Sequence, residues 1–375
     1  MSITISSAVR TNLLSMQGTA KMMGETQARL ATGNKVNSAL DNPSAFFTAQ
    51  GLNNRASDLN SLMDGISNSV KTLEAADNGL SAITKTLESM QSTLRQARQD
   101  KSFEAKSFAV TVNGDGEFAT GSTITFEGGA TGVDIGGTAV SVTVADMTVD
   151  EAVAAINTAA EEGGSLDGAV RASNDGGKLR IENLSAAELK VAGTTSVTTA
   201  NIKGNSVRAG LVDQYNDLRD QLDKLAGDAT YNGVNLLRGD TLKTTFNETG
   251  SSSMEIKVKD GKAIDSAQLG ITALETTGLD VDTDIDTNLD LVKSALGSIR
   301  AQSSAFGSNL SIVETREDFT KAMVSTLTSG ASELTLADMN EEAANLLALQ
   351  SRQALSQNSL SLASQADQSV LALIR

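Results

Sequence analysis

At both ends of the chain the apolar residues recur at alternating steps of four and three, and this spacing constrains the fold more than any other feature. Val9, Leu13, Met16, Ala20, Met23 and Leu30 follow it, with Gln27 as the one polar member. That is the seam of a helix packed along another helix. Residues 31–38 break the pattern with Gly33 and short polar side chains, and a helix restarts at residues 41–44. There Asn42 suits a cap, and Pro43, the single proline, suits the first helical position. A second seam then runs through Leu52, Ala56, Leu59, Met63, Ile66, Val70 and Leu73, and on through Ala76, Leu80, Ile83, Leu87, Met90, Leu94 and Ala97. Two successive steps of three at Val70, Leu73 and Ala76 mark a local register shift. Unbroken over residues 44–99, this helix would be roughly 80 Å long at ~1.5 Å per residue, a rod rather than part of one globule.

The other end answers it. Leu289, Val292, Leu296, Ile299, Phe306, Leu310, Val313, Val324 and Leu327 share one register, interrupted by Ser303, Glu317 and Thr320. A final helix is expected after Ser329 and Gly330, carrying Leu346, Leu349, Leu355, Leu362, Ala366, Val370 and Leu373. A shorter one fits Val207, Leu211, Leu218, Leu222 and Leu225. Between residues 102 and 199 the period changes to two: 107–112, 122–126 and 140–144 read as strands, and Asn113–Gly116 and Asn174–Gly177 as hairpin-type turns. One helix is embedded there, with Thr148 as its cap and Val149, Val153 and Ile156 on one face. Residues 241–258 read as a separate small hairpin. The predicted fold is mainly α with a β-rich insert: a long antiparallel coiled-coil rod made by the N- and C-terminal helices, a Gly-rich outer α+β module and a small β-hairpin. Three parts are expected: terminal helices at 1–40 and 331–375, a helical rod at 41–101 and 205–330, and a β-rich module at 102–204.

Composition removes whole classes of function. The 375 residues include no His and no Cys, so zinc sites, disulfides and the usual nucleophilic triads have no ligands or bases to use. Lys and Arg number 30 against 46 Asp and Glu, a net charge of −16, which argues against a nucleic-acid surface. Hydrophobic residues make up 39% but aromatics only 3%, so any core must be aliphatic and slender. The first thirty residues show no basic n-region followed by an apolar h-region, and no stretch of ~18 apolar residues occurs, so neither a cleaved signal nor a membrane span is expected.

Three local patterns invite an enzyme or metal reading and fail on their own chemistry. Asp280, Asp282 and Asp284 have the spacing of the first calcium ligands of an EF-hand, but Ile285 stands where Gly is needed and Leu291 where Glu is needed. Carboxylates opening a helix explain them better. Gly128–Gly132 and Gly136–Gly137 follow a strand without the helix or Lys of a phosphate loop, and Glu161–Glu162 lie beside Gly163–Gly164 at a helix end. No catalytic residue, metal or cofactor is expected. The terminal helices, rich in Ser, Thr, Asn and Gln off the seam, are marginal alone and are expected to order on assembly.

Specific motifs sit on these helices. Arg29–Asp41, reading R-L-A-T-G-N-K-V-N-S-A-L-D, is similar to the R-L-S-S-G-x-R-I-N-S-A-x-D of bacterial flagellins. The resemblance continues at Asp64–Ser67, Thr230–Leu237 with Gly239, Leu296–Arg300, Leu336–Ala343 and Val370–Ile374, over about two thirds of the chain (residues 1–100 and 205–375). It implies a structural subunit that polymerises with copies of itself into the extracellular flagellar filament. It also implies a filament cap protein, hook-associated junction proteins, the flagellar export apparatus and an export chaperone as partners, and no membrane or nucleic acid. On this reading Leu13, Met16, Met23, Leu355, Leu362 and Leu373 pack the filament inner core. Leu59, Met63, Ile66, Leu80, Leu87, Leu296, Ile299 and Phe306 form the rod core, and the β-rich module faces outward. The stretch 148–191 resembles a small repeat of flagellin outer regions, and hairpin 241–258 falls where the family places a turn linked to supercoil switching. The insert interrupts a region that is contiguous in familiar flagellins, and the variable stretch 260–285 is short. Ser89 and Thr93 stand where the family's epitope for an animal receptor has Arg and Leu, so weak or no recognition is expected; a lost charge-assisted contact is worth ~1.5–3 kcal/mol. A hook–filament junction protein is the nearest alternative, and a secreted coiled-coil surface protein the next.

Overall fold

The computed structural model describes residues 7–128, 139–161, 166, 168–194 and 197–373. Gly129–Gly132 and Gly136–Gly137 of the glycine-rich run, and Glu162–Gly164, lie outside the described residues. The chain order is α1 (Ser7–Thr32), α2 (Pro43–Gln99), β1 (Glu104–Phe108), β2 (Thr123–Gly128), β3 (Val140–Thr143), α3 (Val149–Ala159), β4 (Val170–Asp175), β5 (Lys178–Asn183), β6 (Leu189–Gly193) and β7 (Ala200–Ile202). It continues with α4 (Ser206–Asp228), β8 (Leu242–Thr245), β9 (Ser253–Ile256), α5 (Asp282–Thr335) and α6 (Met339–Leu373). It is mainly helical with a β-rich insert, as the change of period from heptad to alternation required.

Two compact units emerge. One gathers residues up to Ser67, the tip Thr245–Ser253 and everything from Glu314 onward; the other holds Asn68–Thr244 and Met254–Val313. In the first unit, α2 starts as its sequence dictates: Asn42 Oδ1 accepts the Ala45 N–H at 3.1 Å, and Pro43 is the first helical residue. Ala56 and Leu59 of α2 meet Leu327 of α5, with Leu52, Leu62, Met323 and Val324 around them. The hairpin tip is fixed by Arg316, 5.7 Å from the Phe246 ring centroid, and by Arg55 paired to Glu248 at 2.9 Å.

In the second unit Leu73, Ala76, Leu80, Ile83, Leu87, Met90, Leu94 and Ala97 of α2 are all buried, so the seam survives its register shift intact. Antiparallel α5 buries Leu289, Val292, Leu296, Ile299, Phe306 and Val313 and is tied to α2 by Ser303 Oγ donating to Asp77 at 2.9 Å. A Cβ at Gly79 would come within 2.6 Å of Ala229 Cβ and 2.8 Å of Leu237 Cδ1, so only glycine allows that approach. Asn235 caps the end of α4 by donating to Ala226 and Gly227 carbonyls at 2.9 Å, after a turn with positive φ at Asn232 and Gly233.

The insert has two sheets, β1-β5-β4 and β3-β2-β6-β7, both antiparallel, over one core that includes Phe108, Phe118, Phe126, Ile156, Ile181 and Val191. Gly176 and Gly177, both at positive φ, make the two-residue β4–β5 turn. Thr148 and Glu151 close a full capping box on α3, whose Asn157 exchanges two hydrogen bonds with the Ala172 backbone.

The neck of the insert is held by one buried cation. Arg208 donates to the carbonyls of Leu279, Asp280 and Asp100 and to Asp282, and lies 5.1 Å over the Phe103 ring. Arg98 also pairs with Asp282 and, at 3.1 Å, with Asp286. Thus Asp282 and Asp286, in the first turns of α5, take cationic side chains. Asp280 accepts from the Ser185 hydroxyl and the Ala186 N–H, and burial outweighs these bonds, pushing its pKa up to about 6.

Four expectations need correcting. The last helix does not restart at Gly330: α5 runs on to Thr335, because that glycine is a packing position (a Cβ there would lie 3.7 Å from Leu52 Cδ1) and not a stop. The strand expected over 107–112 ends at Phe108, after which Val110 and Val112 make only isolated bridges. On α4 Val207 is exposed and the buried line runs through Arg208, Leu211, Val212, Tyr215, Leu222 and Ala226, since the guanidinium has to reach the neck. On α1 and α6 the expected seams are rotated, as described next.

Candidate assembly surface

The residues that order the first unit's end are those of the Arg29–Asp41 motif. Gly33, at φ 74°, ends α1 in the left-handed conformation, with its N–H on the Arg29 carbonyl at 2.7 Å. The chain then pairs across to the α5–α6 break: Lys35 N–H to Thr335 O at 2.8 Å, Ala337 N–H to Gly33 O at 2.9 Å, and a bridge between Asn34 and Leu336. Asp41 accepts the Ser38 and Asn37 N–H groups and the Ser38 hydroxyl, and these bonds, Ser38 N–H first, hold its carboxyl below the usual value. This turn sets α1 and α6 side by side and antiparallel, with Arg29 Nη1 3.1 Å from Glu342 Oε1.

On α1 the face toward α6 carries Asn12, Met16, Thr19, Met23, Thr26 and Leu30, with Thr19 and Thr26 fully buried. The expected line through Ala20 and Gln27 is therefore turned by about half a helical step, because Thr19 satisfies its hydroxyl on the Ser15 carbonyl at 2.9 Å and can be buried without penalty. Leu13 is left at the edge, 38% exposed, and Leu14 points away. On α6 the inner face is Glu342, Leu346, Leu349, Gln353, Ser356, Leu360 and Ala363, itself a heptad. Leu355 and Leu362 do not belong to it; they are 67% and 66% exposed. At 100° per residue they stand on the opposite side of the helix, one heptad apart, with Ala348 and Ser351 continuing the line. Helix α6 thus has two stripes, one used within the chain and one not. The side chains of Val370 and Leu373 lie outside the described residues.

The residues expected in one rod core are divided. Leu59 and Ile66 are buried in the first unit, and Met63 is half-exposed there. Leu80, Leu87, Leu296, Ile299 and Phe306 are buried in the second. Ser89 is exposed, whereas Thr93 is buried. Three residues of consequence were not legible: Arg29 and Glu342 meet across 313 positions, and Arg208 looks like a solvent-facing residue of an amphipathic helix. Among the described residues no group of acidic side chains is arranged to hold a metal, and no helix is long and apolar enough to cross a membrane.

Comparison with known proteins follows the same two helical ends. Residues 4–110 match the bacterial flagellin N-terminal helical region, and residues 289–374 match the bacterial flagellin C-terminal helical region. Flagellin FljK of Caulobacter vibrioides is 32% identical over 206 residues, 53% of this chain and 67% of its own length. The chain belongs to the bacterial flagellin family. A flagellin of Brucella melitensis is likewise 32% identical, over 39% of this chain and 55% of its own, and flagellin B of Rhizobium meliloti is 35% identical over 24% and 23%. The family is one of structural proteins, the subunits of the flagellar filament. In this flagellin the matched segments hold α1, α2, β1, α6 and all but the first turns of α5.

Proposed function

We propose that this flagellin polymerises through α1 and α6 into an extracellular filament used for swimming. The reading is carried by the unused stripe of α6: Leu355 and Leu362 stand in solvent on the side away from α1. Exposed leucines on a helix rich in Ser, Ala and Gln, Leu347 among them, are a liability in a lone chain and an interface in an assembly. The short residues around them let a neighbouring helix approach closely. On this reading the terminal helices, which the 33–41 turn pairs antiparallel, form the innermost element of the filament, and the β-rich residues 102–204 its outward module. Hairpin 241–258, with its tip tied to Arg55 and Arg316, is the element proposed to respond when the filament changes form.

The partners follow from that role: other copies first, then a cap protein at the growing end, junction proteins at the base, and an export apparatus with its chaperone. A second proposal concerns animal recognition. Ser89, exposed on α2, carries a hydroxyl bonded to the Lys85 carbonyl at 3.0 Å and offers no guanidinium to a receptor. Purified monomer should therefore stimulate reporter cells weakly; a response equal to that of a strongly stimulating flagellin would refute this.

Elongation on sheared filament seeds tests the main reading. Addition of purified chain should lengthen the seeds many subunits at a time. Growth that stops after one layer would instead identify a junction protein, and no binding to seeds would identify a different secreted coiled-coil protein.

A further inference from the structure

The α1–α6 pair leaves one buried polar atom unsatisfied. Glu342, in the first turn of α6, is only 8% exposed; its Oε1 accepts from Arg29, while its Oε2 is buried with no hydrogen-bond partner. A buried carboxylate oxygen without a donor is costly, and a cation reaching it regains a charge-assisted bond. Glu342 lines a cleft of ≈ 440 Å³ together with Met22, Glu25, Arg29, Asn345 and Arg352. A water takes only ~30 Å³, so the cleft admits the head of a long side chain.

Charge identifies the occupant. Arg10, Lys21 and Arg29 against Glu25 leave α1 at +2, whereas Glu341, Glu342 and Asp367 against Arg352 leave α6 at −2. The helix with the complementary charge is thus the α1 of another copy of this chain. On α1, Lys21 is 81% exposed, lies one heptad from exposed Leu14 on the face turned away from α6, and among the described residues pairs with Glu25 at 4.0 Å.

We infer that Lys21 of a second copy donates to Glu342 Oε2, and that this contact fixes the axial register between copies. The inference rests on the proposed polymerisation and deepens it by naming a register-setting pair. The outer face of α1, with Leu14 and Lys21 seven residues apart, would bind almost as well when slid by one heptad. A single buried polar pair penalises the wrong registers.

The test uses the full chain elongating on sheared seeds, read as the critical concentration, with Glu342→Gln, Glu342→Leu, Lys21→Gln and the double variant of Glu342→Leu with Lys21→Gln. Each single variant should raise the critical concentration about tenfold or more. Glu342→Leu should do so while leaving the monomer's thermal midpoint unchanged or higher, since the unsatisfied oxygen is gone. The double variant should lose no more than either single one, the signature of a direct pair. Critical concentrations within about twofold of wild type for Glu342→Gln or Lys21→Gln, or losses that multiply in the double variant, would overturn the inference. Wild-type chain that fails to elongate seeds would overturn the subunit reading, and this pair with it.

Discussion

Replacing Asp280 with Asn should strengthen the neck of the β-rich module at pH 8 and leave it unchanged at about pH 3. Burial pushes the Asp280 pKa from 3.8 to about 6, against the opposing pull of the Ser185 hydroxyl, the Ala186 N–H and Arg208. A carboxyl harder to ionise in the fold than in the unfolded chain lets the folded state hold an extra proton between those values. Stability therefore rises as pH falls from about 6 to 3.8, is fully present below 3.8, and is lost again as pH climbs back through about 6. About two pH units at ~1.4 kcal/mol each set a ceiling of ~3 kcal/mol, and partial solvent access brings the figure nearer ~2 kcal/mol. An Asn keeps the acceptor for Ala186, and the Ser185 hydroxyl can turn to accept from the amide. Amide hydrogen exchange in segments 184–187 and 203–206 of the full chain is the assay, comparing both proteins at the same pH so that intrinsic rates cancel. At pH 8 the variant should exchange about 30-fold more slowly, at pH 5 that gap should be only partly closed, and at about pH 3, below both pKa values, the two should coincide. Equal rates at pH 8, or a wild type that loses protection relative to the variant on acidification, would refute the reasoning.

Leu362→Asp should leave the monomer's helical content and thermal midpoint intact, because the side chain is already 66% exposed, while preventing elongation on seeds. The loss combines ~1–2 kcal/mol of apolar burial per copy with the desolvation of an unpaired carboxylate; normal filaments from this variant would sink the stripe. Gly79→Ala should cost ~1–3 kcal/mol, since its Cβ would sit 2.6 Å from Ala229 Cβ, and a fall in the thermal midpoint of the second unit checks it. Arg208→Met should cost ~1–3 kcal/mol at the neck by leaving the carbonyls of Asp100, Leu279 and Asp280 without their donor, while Asp282 keeps Arg98, and limited proteolysis should then cut near residues 100–103 and 203–206.

The α2 seam was legible residue by residue because every one of its positions from Ala56 to Ala97 except Met63 is buried, and a long helix packed on one side has nowhere to hide a polar error. The same spacing misled at the two ends. On α1 the true inner face uses Thr19 and Thr26, polar residues that a hydrophobicity count passes over; Thr19 is buried with its hydroxyl bonded to the Ser15 carbonyl. On α6 two stripes coexist, and the count chose leucines from both. Leu346 and Leu349 pack on α1; Leu355 and Leu362 do not. A helix that serves two neighbours has no single periodic face, so pattern alone merges them. The Arg29–Glu342 contact and the Arg208 clasp depend on positions tens to hundreds of residues apart, and no local signal encodes them. The Arg29–Asp41 motif was legible as a name before it was legible as physics: a left-handed glycine, an Asp41-capped turn and a backbone bridge to Leu336.

The central claim is that copies meet through the second stripe of α6. A helical reconstruction of sheared filaments at side-chain resolution tests it most directly. It should show Leu355 and Leu362 buried against a terminal helix of another copy, with side-chain atoms within about 4.5 Å. Leu355 and Leu362 facing only solvent, with copies joined elsewhere, would contradict it.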